Sequence, residues 1–104
     1  MDAPVHNKET LLRRLLSRQE EIWSFGVSRL GIFGSFAKGV SIRPESDIDF
    51  FVEFERDKKT FDNFMDLSFY LEELLGRKIE LVTQQSLNKF IGPKILNQVE
   101  NVIG

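Results

Sequence analysis

Residues 47–54 read Asp-Ile-Asp-Phe-Phe-Val-Glu-Phe, and this alternation restricts the fold more tightly than any other stretch. Successive side chains of a β-strand point to opposite faces. Asp47 and Asp49 therefore share one face, while Ile48, Phe50, Val52 and Phe54 turn the other way into a core. Phe51 shares the carboxylate face, so that face is partly covered and the strand is central to its sheet. A short way upstream stands Gly34-Ser35-Phe36-Ala37-Lys38-Gly39. A Gly-Ser pair between a strand and a helical turn offers backbone N–H groups, a hydroxyl and a helix N-terminus, all suited to phosphate oxygens. Lys38, one turn later, can neutralise further phosphate charge. One short segment thus joins a phosphate corner to two carboxylates that suit a metal.

The remaining elements follow from periodicity and punctuation. Leu11, Leu12, Leu15, Leu16, Ile22 and Trp23 recur at helical spacing and predict one amphipathic helix over 7–25. Asn7 serves as its N-cap and Gly26 as its stop. Residues 1–6 read as a loose tail, with His6 exposed to solvent. Residues 27–33 form a strand, in which Gly31 marks the close approach of another backbone or a ligand. Residues 36–38 make at most one helical turn, and 40–45 form a loop in which Pro44 extends Arg43. Beyond a charged turn at 55–59, Thr60 caps a helix running to Leu75, which Gly76 ends. Its apolar stripe is broad, because Phe61, Phe64 and Phe69 join Leu67, Leu71, Leu74 and Leu75. A third strand over 78–83 places Ile79 and Leu81 on one face and Glu80 on the other, after Arg77-Lys78, two solvated turn charges. Two short helices close the chain, one over 86–91 and one from Pro93 with Ile95, Leu96 and Val99 on one side. This order predicts an α/β chain, a small sheet with helical cover.

Bulk properties narrow the function classes. A length of 104 residues predicts a single domain spanning 1–104. The 14 basic and 16 acidic residues give a net charge of −2, which argues against stable nucleic-acid binding by bulk electrostatics. The absence of cysteine removes disulfides and thiolate metal sites and fits a cytoplasmic location. No apolar run approaches the ~20 residues of a membrane span.

Two carboxylates ~7 Å apart along a strand repel each other unless a cation lies between them. Hard oxygen ligands of this kind select Mg²⁺ or Mn²⁺, which keep waters and accept substrate phosphates as further ligands. The bland alternative has Asp47 capping the turn after Pro44 and Asp49 on a solvated sheet face. Glu80, flanked by apolar residues, must face either solvent or the same site as the aspartates. With all three carboxylates together, two metal ions could bind between Asp47, Asp49, Glu80 and a triphosphate, the clamp used for in-line phosphoryl or nucleotidyl transfer. Glu80 could also take a proton from an attacking hydroxyl.

Gly34-Ser35, Lys38-Gly39 and Ser46-Asp47-Ile48-Asp49 together resemble the signature of the nucleotidyltransferase superfamily that includes polymerase beta. With the short chain and Glu80-Leu81-Val82-Thr83, the nearest resemblance is to the minimal nucleotidyltransferases, the MntA-like antitoxin group. The resemblance implies an α+β fold of three to four mixed strands flanked by helices, a nucleoside triphosphate (usually ATP), and Mg²⁺. By position, Gly34 and Ser35 would hold the triphosphate, Asp47 and Asp49 the metals, and Glu80 the third carboxylate role. It further implies transfer of AMP to a tyrosine of a HEPN-domain toxin. One departure stands out: the third carboxylate is usually Asp in this superfamily. The extra methylene of Glu80 moves the group by up to ~1.5 Å, and misplacement on that scale can cost ~100-fold in rate.

The reading is a Mg²⁺-dependent protein adenylyltransferase acting as an antitoxin. So short a chain leaves recognition of the acceptor to its own surface, to a homo- or hetero-oligomer, or to the acceptor protein. Arg43, between the two half-motifs, is placed to meet phosphate or a partner, and the surplus phenylalanines at 61, 64 and 69 offer a partner surface. The rival readings are a nucleotide-binding antitoxin that neutralises its partner by contact alone, and a phosphate-binding structural subunit.

Overall fold

The computed structural model describes residues 3–39, 42, 43, 45–84 and 92–104. Its elements in chain order are α1 (Lys8–Ser17), α2 (Gln19–Ser24), β1 (Val27–Phe33), α3 (Gly34–Lys38), β2 (Ile48–Phe54), α4 (Phe61–Leu75), β3 (Ile79–Val82), α5 (Gly92–Gln98) and β4 (Glu100–Ile103). The strands form one mixed sheet in the order β3-β2-β1-β4. β1 runs antiparallel to both β2 and β4, whereas β2 and β3 are parallel and joined through α4. The fold is therefore the expected α+β arrangement, a small mixed sheet flanked by helices, with the carboxylate strand inside it.

Alternation along β2 decides which face is buried. Ile48, Phe50 and Val52 join Leu30 and Ile32 of β1, Leu81 of β3 and Ile103 of β4 in one core. Leu11 and Leu15 of α1, Ile22 of α2, Phe36 of α3 and Leu67, Leu71, Leu74 and Leu75 of α4 close over it. Each such side chain contributes roughly 1.5–3 kcal/mol when fully buried. Phe51 is buried on the opposite face, where the Arg29 guanidinium lies 5.7 Å from its ring centroid.

Local punctuation holds where it was read. The Asn7 side chain accepts a hydrogen bond from Thr10 N at 2.8 Å and that of Thr60 accepts one from Asn63 N at 3.1 Å, so each caps its helix. Gly76 ends α4. Gly31 faces the junction of α5 and β4, where a Cβ would lie 2.5 Å from Val99 Cγ1 and 3.0 Å from the Glu100 carbonyl. The close approach predicted there is that of another backbone.

Four expectations are corrected. The helix predicted over 7–25 is two helices, because the backbone breaks at Arg18 and its N–H turns back to the Leu15 and Leu16 carbonyls. Residues 3–6 are not a loose tail: Val5 is fully buried, and its N–H donates to the Leu75 carbonyl at 3.0 Å. His6, beside it, is exposed as expected. Arg77 is no solvated turn charge but is 8% exposed. Its guanidinium donates to the carbonyls of Val5, Ser46 and Arg43 and lies over the Phe36 ring. Finally, the chain closes on a strand: Val99 follows α5 rather than belonging to it, and β4 pairs with β1. The helix expected over 86–91 and the influence of Pro44 lie outside the described residues.

Gly31→Ala will push Val99 and the β4 backbone away from β1 at a cost of ~1–3 kcal/mol. Thermal unfolding followed by circular dichroism will show a melting temperature at least ~4 °C lower.

Candidate active site

The Gly-Ser corner sits where β1 ends and α3 begins. Phe33 occupies the N-cap of α3 without a capping side chain, so the first amides of the turn have no side-chain acceptor from that position. Gly34 has φ +74°, a left-handed conformation that suits glycine. A Cβ at this position would also overlap Asp49 Oδ2. The backbone that begins the phosphate corner and the carboxylate of β2 are thus in direct apposition. This follows from register, since Phe33 pairs with Asp49 across the antiparallel β1–β2 ladder.

The third carboxylate arrives from the other side. In the parallel β2–β3 ladder Asp49 is paired with Glu80. Paired residues on adjacent strands ~4.8 Å apart send their side chains to the same face, so Glu80 stands beside Asp49 rather than in isolated solvent. Asp47 immediately precedes β2 and is exposed, whereas Asp49 is half-buried. Ser35 is half-buried in the first turn of α3, and Lys38 is exposed at its end. Arg43 is exposed, and its N–H donates to Ser46 Oγ at 3.1 Å in the turn that precedes Asp47.

The electrostatics mark this as a strained cluster. Burial chiefly, then the neighbouring Glu80 and Asp47 carboxylates, push the Asp49 carboxyl above its ordinary value. Among the described residues, no group of three or more His, Cys, Asp or Glu side chains is gathered closely enough to cage a metal ion. The donor set nonetheless fits Mg²⁺, which is commonly held by one or two carboxylates plus substrate phosphates rather than by an all-protein cage. A divalent cation would offset the repulsion that raises Asp49, and the carboxylates stand beside the corner suited to phosphate.

Sequence reasoning missed Arg77, Val5 and the turn ending at Ser46. Basic residues beside a glycine turn read as solvent-facing, and nothing local announces three distant carbonyls. Of the surplus phenylalanines on α4, Phe61 and Phe69 are surface residues, 76% and 60% exposed, whereas Phe64 is half-buried and packs against the core.

A corner suited to phosphate, apposed to carboxylates on a mixed sheet, offers the chemistry that phosphoryl or nucleotidyl transfer requires. The chain belongs to the nucleotidyltransferase domain family, which matches residues 12–102. It is 39% identical over 75 residues to the protein adenylyltransferase MntA of Thermococcus cleftensis, covering 72% of this chain and 74% of that one. A solved structure of a candidate minimal nucleotidyltransferase matches with a TM-score of 0.79 at 30% identity, over 90% of this chain and 94% of that one. The same fold recurs in the solved complex of tri-AMPylated Shewanella oneidensis HEPN toxin with MNT antitoxin. That match has a TM-score of 0.64 at 16% identity, over 93% of this chain and 72% of the other. The chain is a nucleotidyltransferase of the minimal, MntA-like kind. No described helix is long and apolar enough to cross a membrane.

Two outcomes test the geometry. Gly34→Ala will force a side chain into a left-handed position, costing ~1–2 kcal/mol, and will displace the Asp49 carboxylate. Nucleotidyl transfer in a label assay will fall by ~100-fold, with a lower melting temperature. Asp49→Asn will melt higher than the wild type at neutral pH when both are free of metal. A raised native pKa means the folded state keeps a proton that the unfolded chain has lost, so the wild type loses stability as pH rises through that window. The gap between the two melting temperatures will narrow towards acid pH.

Proposed function

We propose that this nucleotidyltransferase moves AMP from ATP to a hydroxyl, that of a tyrosine, on a partner HEPN-domain toxin, and so acts as its antitoxin. The observation that carries the reading is the apposition of Gly34 to Asp49 with Glu80 in register beside it, which brings phosphate and carboxylate chemistry to one point. The similarity to a relative named for protein adenylyl transfer, and the likeness in fold to a complex of an MNT antitoxin with an AMPylated toxin, support the acceptor class.

In this reading the Gly34 and Ser35 amides and the Ser35 hydroxyl bind the triphosphate, and Lys38 neutralises part of its charge. Asp47 and Asp49 hold Mg²⁺, with Glu80 as the third carboxylate. When bound, Mg²⁺ ions neutralise phosphate charge and stabilise both the entering and leaving oxygens. The acceptor oxygen attacks the α-phosphorus in line, the bond to the β-phosphate oxygen breaks, and pyrophosphate leaves. The acceptor's proton passes to a carboxylate, a role this reading gives to Glu80. The exposed Phe61 and Phe69 on α4 offer apolar surface for a protein partner.

Glu80 in place of the usual aspartate favours one rival, a nucleotide-binding antitoxin that works by contact alone. Incubation with α-labelled ATP, Mg²⁺ and the HEPN partner separates the two. The enzyme reading expects label on the partner, reduced at least ~100-fold in Asp47→Asn and Asp49→Asn, and toxicity that returns with either variant. Neutralisation persisting in both variants with no label transferred would establish the rival.

A further inference from the structure

Arg77 lies outside the phosphate corner and the carboxylate set, yet it governs the backbone that carries one of those carboxylates. The turn before Asp47 is closed by Ser46 N donating to the Arg43 carbonyl at 3.0 Å and by Arg43 N donating to Ser46 Oγ at 3.1 Å. Arg77 then donates to the carbonyls at both ends of that turn. Its Nε and Nη2 donate to Ser46 O at 3.2 and 3.0 Å, and Nη2 also donates to Arg43 O. On the far side of Asp47, Ile48 N donates to the Lys78 carbonyl at 3.2 Å. The backbone on both sides of Asp47 is therefore tied to the two residues 77 and 78, while the Asp47 side chain stays exposed.

The same guanidinium reaches two further segments. Nη1 donates to the Val5 carbonyl at 2.9 Å, and the cation lies 4.9 Å from the centroid of the buried Phe36 ring. Phe36 is the residue after Ser35, so one side chain touches both the helix of the phosphate corner and the turn that presents Asp47. A planar fork with fixed donor directions can serve several carbonyls at once and stack on an aromatic face, and a lysine ammonium cannot reproduce that geometry.

We propose that Arg77 is a positioning residue that fixes Asp47 for metal binding beside the phosphate corner. The inference rests on the reading of Asp47 as a metal ligand and goes beyond it by naming what orients that ligand. Groups that orient metal ligands from behind commonly change metal affinity 10–100-fold when replaced, and a fork on the ligand's own backbone acts in the same manner.

The test uses the whole chain with Mn²⁺ and a non-hydrolysable ATP analogue. Mn²⁺ affinity is read by electron paramagnetic resonance, and hydrogen exchange is followed at the Asp47 and Ile48 amides. Arg77→Lys is expected to bind Mn²⁺ about tenfold more weakly, with faster exchange at both amides and analogue affinity without metal changed less than twofold. Leu71→Val, in the core under α4, is expected to lower the melting temperature and leave Mn²⁺ affinity unchanged. In an Asp47→Asn background, Arg77→Lys is expected to cause no further loss of Mn²⁺ affinity.

Equal Mn²⁺ affinity in the wild type and Arg77→Lys, or a loss that simply follows melting temperature as in Leu71→Val, would overturn the positioning role. If Arg77→Lys does not fold, Arg77→Gln keeps a planar amide but removes the buried charge and the fork that serves the Arg43 and Ser46 carbonyls. Its Mn²⁺ affinity should then fall measurably, and no change would overturn the proposal. A wild type that binds no Mn²⁺ with the analogue would overturn the reading of Asp47 itself, and this inference with it. That failure is distinct from one in which the wild type binds and every variant binds equally.

Discussion

A guanidinium removed from water has to find hydrogen-bond acceptors, because a buried charge without partners costs several kcal/mol. Arg77 meets this demand with three backbone carbonyls from two distant segments: that of Val5, and those of Arg43 and Ser46 in the turn before β2. Hydrogen bonds to charged groups contribute ~1.5–3 kcal/mol each. The consequence is architectural. Val5 is drawn against the end of α4, where its N–H also donates to the Leu75 carbonyl. The turn before β2 is held against the start of β3, and the ring beneath the cation belongs to α3.

What this framework holds in place is a repulsive arrangement. Asp49 lies half-buried between the Gly34 backbone and two further carboxylates, and both its burial and those charges disfavour ionisation. A sheet face built for stability would put a neutral or apolar residue there. The opposite face of β2 compensates, since Ile48, Phe50 and Val52 are buried in the core. Three buried apolar side chains of this strand lie on one side, and on the other Phe51 alone is buried beside the unfavourable charge. This division is the expected form of a stability–activity trade-off in an enzyme site.

The sequence announces whatever is set by neighbours along the chain. Alternation in 48–54 fixed the faces of β2, side-chain caps at Asn7 and Thr60 marked two helix starts, and glycines at 26, 34 and 76 marked turns. Even Gly31, with no side chain to read, signalled the close approach of β4. Hidden features depend on contacts between distant segments. Arg77 looks like any basic residue after a helix stop, and Val5 like part of a polar terminus. β4 has only four residues, and the Glu100-Asn101 half of it carries no strand signature. The break at Arg18 escaped for another reason. The apolar spacing continues across it, and periodicity alone does not register a single residue leaving helical geometry.

Glu80 is where local reading and register have to be combined. In isolation, a charged residue between Ile79 and Leu81 is an ordinary solvated position. Pairing with Asp49 in a parallel ladder places it level with the half-buried carboxylate and on the same face. A glutamate there differs from an aspartate in reach, not in direction. Because Glu80 is exposed, its longer side chain has rotamers free to bend back towards Asp49 or out towards an incoming acceptor. On the proposed reading, that freedom costs some preorganisation and keeps the carboxylate within reach of the reacting oxygens. The backbone register supplies the placement that the side chain itself does not.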